Sequence, residues 1–163
     1  MTMKKIIVIG CPGGGKSTFA RQLRDKTGLP LHYLDMIWHK PDKSNVTRAE
    51  FDKALQDILK GERWIIDGNY SRTLEVRMAV CDTVFLLDMP LEVCLEGAMK
   101  RIGTKREELP WVEMDFDDDF KAHIERFGDD ELPKIYKLLE KHNNKKVVIF
   151  KSHADIADFL EGL

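Results

Sequence analysis

The sequence predicts an α/β protein whose parallel sheet of five strands is covered by helices on both faces. Three observations carry that prediction. Short apolar segments alternate with amphipathic ones along the whole chain. The strand-like segments are rich in β-branched residues, as strands buried on both faces require. The first of them, Lys4–Ile9, runs straight into Gly10-Cys11-Pro12-Gly13-Gly14-Gly15-Lys16-Ser17.

That last stretch has the form G-x-x-x-x-G-K-[ST], the P-loop. Its glycines let main-chain N–H groups turn onto a phosphate with no Cβ in the way. The loop feeds a helix over Ser17–Lys26, whose N-terminus favours an anion. Gly10, Cys11, Pro12, Gly13, Gly14, Gly15, Lys16, Ser17 and Thr18 are therefore the candidate nucleotide-binding residues. Lys16 is placed to reach the outer phosphates of ATP and Ser17 to sit on Mg²⁺.

The elements follow in order. Thr27-Gly28-Leu29-Pro30 stops the first helix, and Leu31–Leu34 reads as a second strand ending at Asp35. Residues 36–46 carry turn signals, Pro41-Asp42 and Ser44-Asn45, and read as irregular. Thr47 with Glu50 forms a capping box for a helix whose apolar face holds Phe51, Ala54, Leu55, Ile58 and Leu59. Trp64–Ile66 is the third strand, ending at Asp67-Gly68, and a helix follows over Arg72–Ala79. Thr83–Leu87 is the fourth strand, ending at Asp88, and Pro90 opens a helix to about Ile102. Gly103–Pro110 reads as a loop before helices near Phe116–Phe127 and Glu131–His142. Lys146–Phe150 is the fifth strand and Ala154–Leu160 the closing helix.

In an open parallel sheet, ligands bind beyond the carboxyl ends of the strands. Gly10, Asp35, Asp67 and Asp88 are all expected there. Asp67 is suited to support Mg²⁺, and Arg72 to clamp a phosphate or to lie on the surface. Asp35 either meets a phosphoryl acceptor or serves as a cap or loop carboxylate. Trp38 either packs or stacks on an acceptor ring. Asp88 is either a Walker B carboxylate or the cap of the next helix. Arg101, Lys105 and Arg106 flank the Gly103 loop, where cations would neutralise transferring phosphate.

Composition sets the outer limits. At 163 residues the chain is expected to form one domain, 1–163. No apolar run approaches the roughly 18 residues of a membrane span, and the initial apolar stretch is too short for a signal peptide. Cys11, Cys81 and Cys94 have no metal spacing and read as reduced thiols, which points to the cytoplasm. Cys11, near a helix N-terminus, is expected to have a lowered pKa. The net charge is −2, and between Glu113 and Glu131 acids outnumber bases nine to two. That balance argues against nucleic acid as a partner.

With these residues in place, the chain resembles the P-loop kinases of the adenylate kinase type, and within them the adenylate kinase-related DNA topology modulation proteins. The resemblance runs over nearly the whole chain. It rests on Gly10–Thr18, Leu34-Asp35 with Trp38, Ile66-Asp67-Gly68-Asn69-Tyr70, Ala79–Asp88, Cys94-Leu95, Lys100-Arg101 and the final Lys145-Val147-Val148 with Phe159-Leu160. It implies a three-layer P-loop NTPase fold with a short helical or loop lid at about 102–127 and an acceptor-binding insert at about 36–60. It implies ATP and Mg²⁺ as cofactors, with Arg101, Lys105 and Arg106 over the phosphates. A small-molecule acceptor would lie among Asp35, Trp38, Asp67 and either Arg72 or Arg77. Lys16, Asp67, Arg101 and Asp35 are then the candidate catalytic residues, and Ser17 and Asp67 the metal-supporting pair.

The chain departs from the kinase pattern in three places. Three residues, not two, separate Asp67-Gly68 from Arg72. Gly97 stands where an arginine is common, and Gly128-Asp129-Asp130-Glu131 replaces an arginine-rich stretch. The last two remove positive charge from where a second phosphorylated substrate would lie. Two activities therefore remain open: phosphoryl transfer to a nucleoside monophosphate or hydroxyl compound, or a nucleotide-binding switch with weak ATPase and no small acceptor.

Overall fold

A computed structural model describes residues 2–163. Five strands, β1 (Lys5–Gly10), β2 (Leu31–Tyr33), β3 (Trp64–Asp67), β4 (Thr83–Leu87) and β5 (Lys146–Phe150), form one sheet in the order β2-β3-β1-β4-β5. All four pairings are parallel. Eight helices connect or flank them: α1 (Lys16–Thr27), α2 (Leu34–Trp38), α3 (Arg48–Leu59), α4 (Ser71–Val80), α5 (Leu91–Lys100), α6 (Asp118–Asp130), α7 (Leu132–Lys141) and α8 (His153–Glu161). Helices cover both faces, giving the expected three-layer α/β arrangement.

The central strand explains the first motif. Ile6 to Ile9 of β1 are fully buried between β3 and β4. Such a run can be apolar at every position because neither face meets water. On one face, Phe19 of α1 packs edge-on against Phe85 of β4 at 4.9 Å and Phe150 of β5 at 5.1 Å, with Phe159 of α8 completing the cluster. This aromatic contact fixes α1, and with it the glycine loop that precedes it. β5 is an edge strand, so Val147 and Ile149 remain exposed.

Three elements differ from the sequence reading. β2 ends at Tyr33, and Leu34–Trp38 turns immediately into the short helix α2, so Asp35 lies in a first helical turn rather than at a strand end. The cause is tertiary: Leu34 is fully buried beneath Gly68, which has φ +143° and no room for a Cβ. Residues 39–45 are not wholly irregular, since His39 and Asn45 form an antiparallel bridge. α6 starts after Asp117, whose side chain accepts from the Phe120 N–H at 2.7 Å, and continues through Gly128. Gly128 faces open space, so its missing side chain ends nothing.

The capping box at Thr47 and Glu50 is formed as expected. Among the described residues, no helix is long and apolar enough to cross a membrane.

Candidate active site

β1 delivers its last residue, Gly10, to the carboxyl edge of the sheet, and the loop to Gly15 turns there. Gly10, Gly13 and Gly15 all have positive φ, at 146°, 84° and 101°. The loop leans on α5 so closely that a Cβ on Gly13 would meet the Cys94 carbonyl oxygen at 2.0 Å. The fit is reciprocal: a Cβ on Gly97 would meet the Gly13 carbonyl oxygen at 2.0 Å. Position 97 is therefore glycine because α5 forms the floor of the loop; an arginine cannot occupy it without moving the loop.

Lys16 and Ser17 open α1 and face a cleft of about 440 Å³. The Ser17 hydroxyl donates to Asp67 Oδ2 at 2.6 Å. The other carboxylate oxygen, Asp67 Oδ1, is buried and has no partner among the described residues. Burial pushes the Asp67 carboxyl up to about 6, although the Lys16 ammonium and the Ser17 hydroxyl pull the other way. Burial also lowers the Lys16 pKa, and Asp67 opposes that shift. A hydroxyl and a carboxylate with a free oxygen are hard donors, and they fit Mg²⁺, which keeps water and phosphate oxygens for the rest of its shell. No cluster of three metal-ligating side chains occurs among the described residues, so the pair suits a metal that arrives with a nucleotide.

Across the cleft stands Asp35. Its Oδ1 accepts a 2.7 Å hydrogen bond from the Tyr70 hydroxyl. Burial and the Asp35 charge push the Tyr70 phenol well above its ordinary value, so it remains a donor. Tyr70 belongs to the turn after β3, and Asn69 of the same turn clamps the first glycine of the loop. The Asn69 side chain accepts from Gly10 N–H at 3.0 Å and donates to Gly10 C=O at 2.6 Å. One turn thus ties Asp67, the glycine loop and Asp35 together.

The roof of the cleft comes from residues 101–113. Arg101 and Arg106 line it, and the buried Nε of each has no partner among the described residues. Burial lowers the Arg101 pKa. Arg106 pairs with Glu113 at 2.9 Å and more loosely with Glu108 at 3.7 Å. The segment is pinned to α1 and β2: Glu108 accepts from Arg21 at 3.2 Å, and Glu107 from Arg24 at 2.7 Å and from the Tyr33 hydroxyl.

Not every expected residue reaches this cleft. Arg77 is 0% exposed, with its guanidinium donating to main-chain carbonyls and Thr73, and cannot touch a substrate. Arg72 lies outside, in a surface pair with Asp52 at 2.7 Å. Trp38 packs edge-on against Phe51 at 5.8 Å and lines a separate surface pocket beside Arg72. Lys105 is exposed and absent from the cleft wall, unlike its neighbour Arg106. Thr18 is exposed on α1 and borders a groove of about 270 Å³ between α1 and α8.

Two further expectations are corrected. Asp88 is neither a cleft carboxylate nor a helix cap, because it accepts from the Tyr136 hydroxyl at 2.8 Å and from Lys151, while Pro90 holds the cap position. Cys11 does not have a lowered pKa; it is buried, and the adjoining Cys94 thiol and burial push it up.

The structure also brings in residues that sequence reasoning passed over. His39, Tyr33, Tyr70, Trp111, Phe120 and His123 add aromatic rings to the lining of the cleft. His39 and Trp111 meet edge-on at 4.9 Å although they are far apart in the chain. His153 Nε2 lies 3.2 Å from the Gly14 carbonyl, at the edge of the α1–α8 groove. The aromatic wall left no signal in spacing, because it forms only when the segment after α5 folds back. The five histidines show no metal spacing in the sequence, which left His39, His123 and His153 without a site role.

No family model matches the chain. Solved structures do. A shikimate kinase from Acinetobacter baumannii, in complex with shikimate, superposes with a TM-score of 0.64 at 12% identity, over 99% of this chain and 90% of that one. A shikimate kinase from Bacteroides thetaiotaomicron gives 0.57 at 17%, over 99% and 96%. A sugar kinase from Janibacter sp. gives 0.53 at 19%, over 99% and 92%. The sheet order, the glycine loop and these likenesses define a three-layer α/β P-loop fold, which this chain shares with those kinases. At such identities they speak to architecture.

Proposed function

We propose that this protein is an ATP-dependent phosphotransferase that moves the γ-phosphoryl group of Mg·ATP to a hydroxyl of a small acceptor. The observation that carries the reading is the single cleft that joins Lys16, Ser17 and Asp67 to Asp35. The aromatic rings that line the same cleft beside Asp35 suit a small organic acceptor.

The roles follow from position. The main-chain amides of Gly13–Ser17 hold the β- and γ-phosphates, and the groove between α1 and α8 takes the base. Lys16 and Arg101 place positive charge on the transferring group, where a loose transition state spreads its negative charge. Ser17 and Asp67 would hold Mg²⁺, which would supply positive charge against the phosphates. Asp35, oriented by Tyr70, receives the acceptor hydroxyl and accepts its proton. Residues 101–113 exclude water from the transfer. The finer likeness to adenylate kinase-related proteins is carried most specifically by the Asp67–Tyr70 stretch, which supplies two of these roles, Asp67 beside Ser17 and Tyr70 on Asp35.

Charge favours a hydroxyl acceptor over a nucleoside monophosphate. The cleft presents Asp35, Glu108 and Glu113 beside Arg101 and Arg106, and Arg106 is already paired with the two glutamates. Arg72 and Arg77, the candidates for a second phosphate, are outside the cleft and buried respectively. The shikimate and sugar kinases, which share the fold, are named for acceptors that carry hydroxyl groups.

A coupled assay of ADP release across nucleosides, sugars, sugar acids, cyclic alcohols and nucleoside monophosphates tests the reading. Stimulation by a hydroxyl compound is expected. Slow hydrolysis unchanged by every candidate would favour the nucleotide switch instead.

A further inference from the structure

Arg77 is a full charge buried with no carboxylate against it. Its Nη1 donates to the Gly68 carbonyl at 2.9 Å, and its Nη2 to the carbonyls of Asn69 and, at 3.1 Å, Tyr70. Its Nε reaches Thr73 Oγ1 at 3.3 Å within α4. Burying an ammonium-like charge costs several kcal/mol unless its surroundings compensate, so three consecutive carbonyls held by one planar fork call for an explanation.

The turn they belong to supplies it. Gly68 and Tyr70 both have positive φ, +143° and +35°. For an aromatic residue such a conformation stores about 1–3 kcal/mol and persists only where the surroundings over-determine it. The three polar side chains of the turn each serve a different part of the cleft: Asp67 accepts from Ser17, Asn69 clamps Gly10, and Tyr70 orients Asp35.

We infer that Arg77 is a positioning residue: it holds the Asp67–Tyr70 turn in its strained form, and so sets the geometry at which Mg·ATP and the acceptor carboxylate meet, without touching either. The inference rests on the proposed binding of Mg·ATP at the glycine loop. It accounts for a guanidinium in place of an ammonium, since a lysine offers no planar fork to span three carbonyls. It also accounts for the position of Arg77 on the second turn of α4, behind the site rather than in it.

The test compares wild type with Arg77→Lys and Asn69→Ala. ATP binding is measured by calorimetry with and without Mg²⁺, at a temperature where circular dichroism shows each variant folded. A merely structural role would lower the melting temperature and leave the ratio of the two affinities alone. A positioning role lowers that ratio by about tenfold, the scale on which outer-shell partners of a metal act, and Asn69→Ala lowers the affinity for ATP in both conditions. Wild-type affinities in folded Arg77→Lys overturn the inference. If Arg77→Lys does not fold, unchanged ATP affinity in Asn69→Ala overturns it, since the turn then has no hold on the loop. Absence of ATP binding by wild type overturns the nucleotide reading itself, and the inference with it.

Discussion

The Tyr70 hydroxyl donates a 2.7 Å hydrogen bond to Asp35 Oδ1. The two residues come from different segments, the turn after β3 and the helix α2, and they meet on the wall of the cleft. This bond fixes one carboxylate oxygen and leaves the other free for a hydroxyl. Tyr70→Phe should leave Mg·ATP affinity at the wild-type value and lower acceptor-stimulated ADP release by about tenfold, a typical effect of losing an orienting hydrogen bond to a catalytic carboxylate. Steady-state kinetics beside calorimetry separates the two quantities.

Gly97 touches the glycine loop with no room to spare. Gly97→Ala places a Cβ 2.0 Å from the Gly13 carbonyl oxygen, so α5 or the loop must shift. The expected result is a stability loss of about 1–3 kcal/mol, seen in thermal melting, together with weaker ATP binding. Gly128→Ala is the control: that helical glycine faces open space, and alanine there should be neutral or stabilising.

Burial pushes the Asp67 carboxyl up to about 6. The folded state therefore holds this proton more tightly than the unfolded chain does. Its contribution to stability falls as pH rises from about 4 to about 6 and is level above that. Metal binding needs the ionised form, so protons compete with Mg²⁺. The affinity for Mg·ATP should decline below about pH 6, by up to about tenfold per unit. In Asp67→Asn the Mg²⁺-dependent part of the affinity should be small and should show only the slope that ATP itself imposes. A flat wild-type profile across this window would contradict the assignment of Asp67.

All three cysteines are buried. Burial beside Cys94 raises the Cys11 pKa, despite its place in the glycine loop. Iodoacetamide at mildly alkaline pH should leave the native protein unmodified on the timescale in which denatured protein reacts fully. Mass spectrometry reads the difference, and rapid selective labelling of Cys11 would show that the loop opens.

What could be read from the chain and what could not divide along one physical line. The glycine loop, Lys16, Ser17 and Asp67 were legible because each is local: a strand end, a turn and a helix start imposed by neighbouring residues. Asp35 was legible as a candidate, though its helix was not, because Leu34 turns under Gly68 from a distant segment. Arg72 and Arg77 have equally plausible spacing, yet one faces solvent and the other is buried against the turn from Gly68 to Tyr70. Spacing gives no direction of that kind where α4 must pack against both the sheet and the turn. The aromatic wall of His39 and Trp111 depends on residues 101–113 folding back onto α1 through Glu107 and Glu108, a long-range event with no signature in composition.

The central claim is that the glycine loop, with Lys16, grips the phosphates of a nucleoside triphosphate. Calorimetric titration of Mg·ATP into wild type and Lys16→Ala tests it most directly. The account predicts saturable heat at one site per chain in wild type, and its loss in the folded variant. Equal binding by both proteins, or none by wild type, would contradict it.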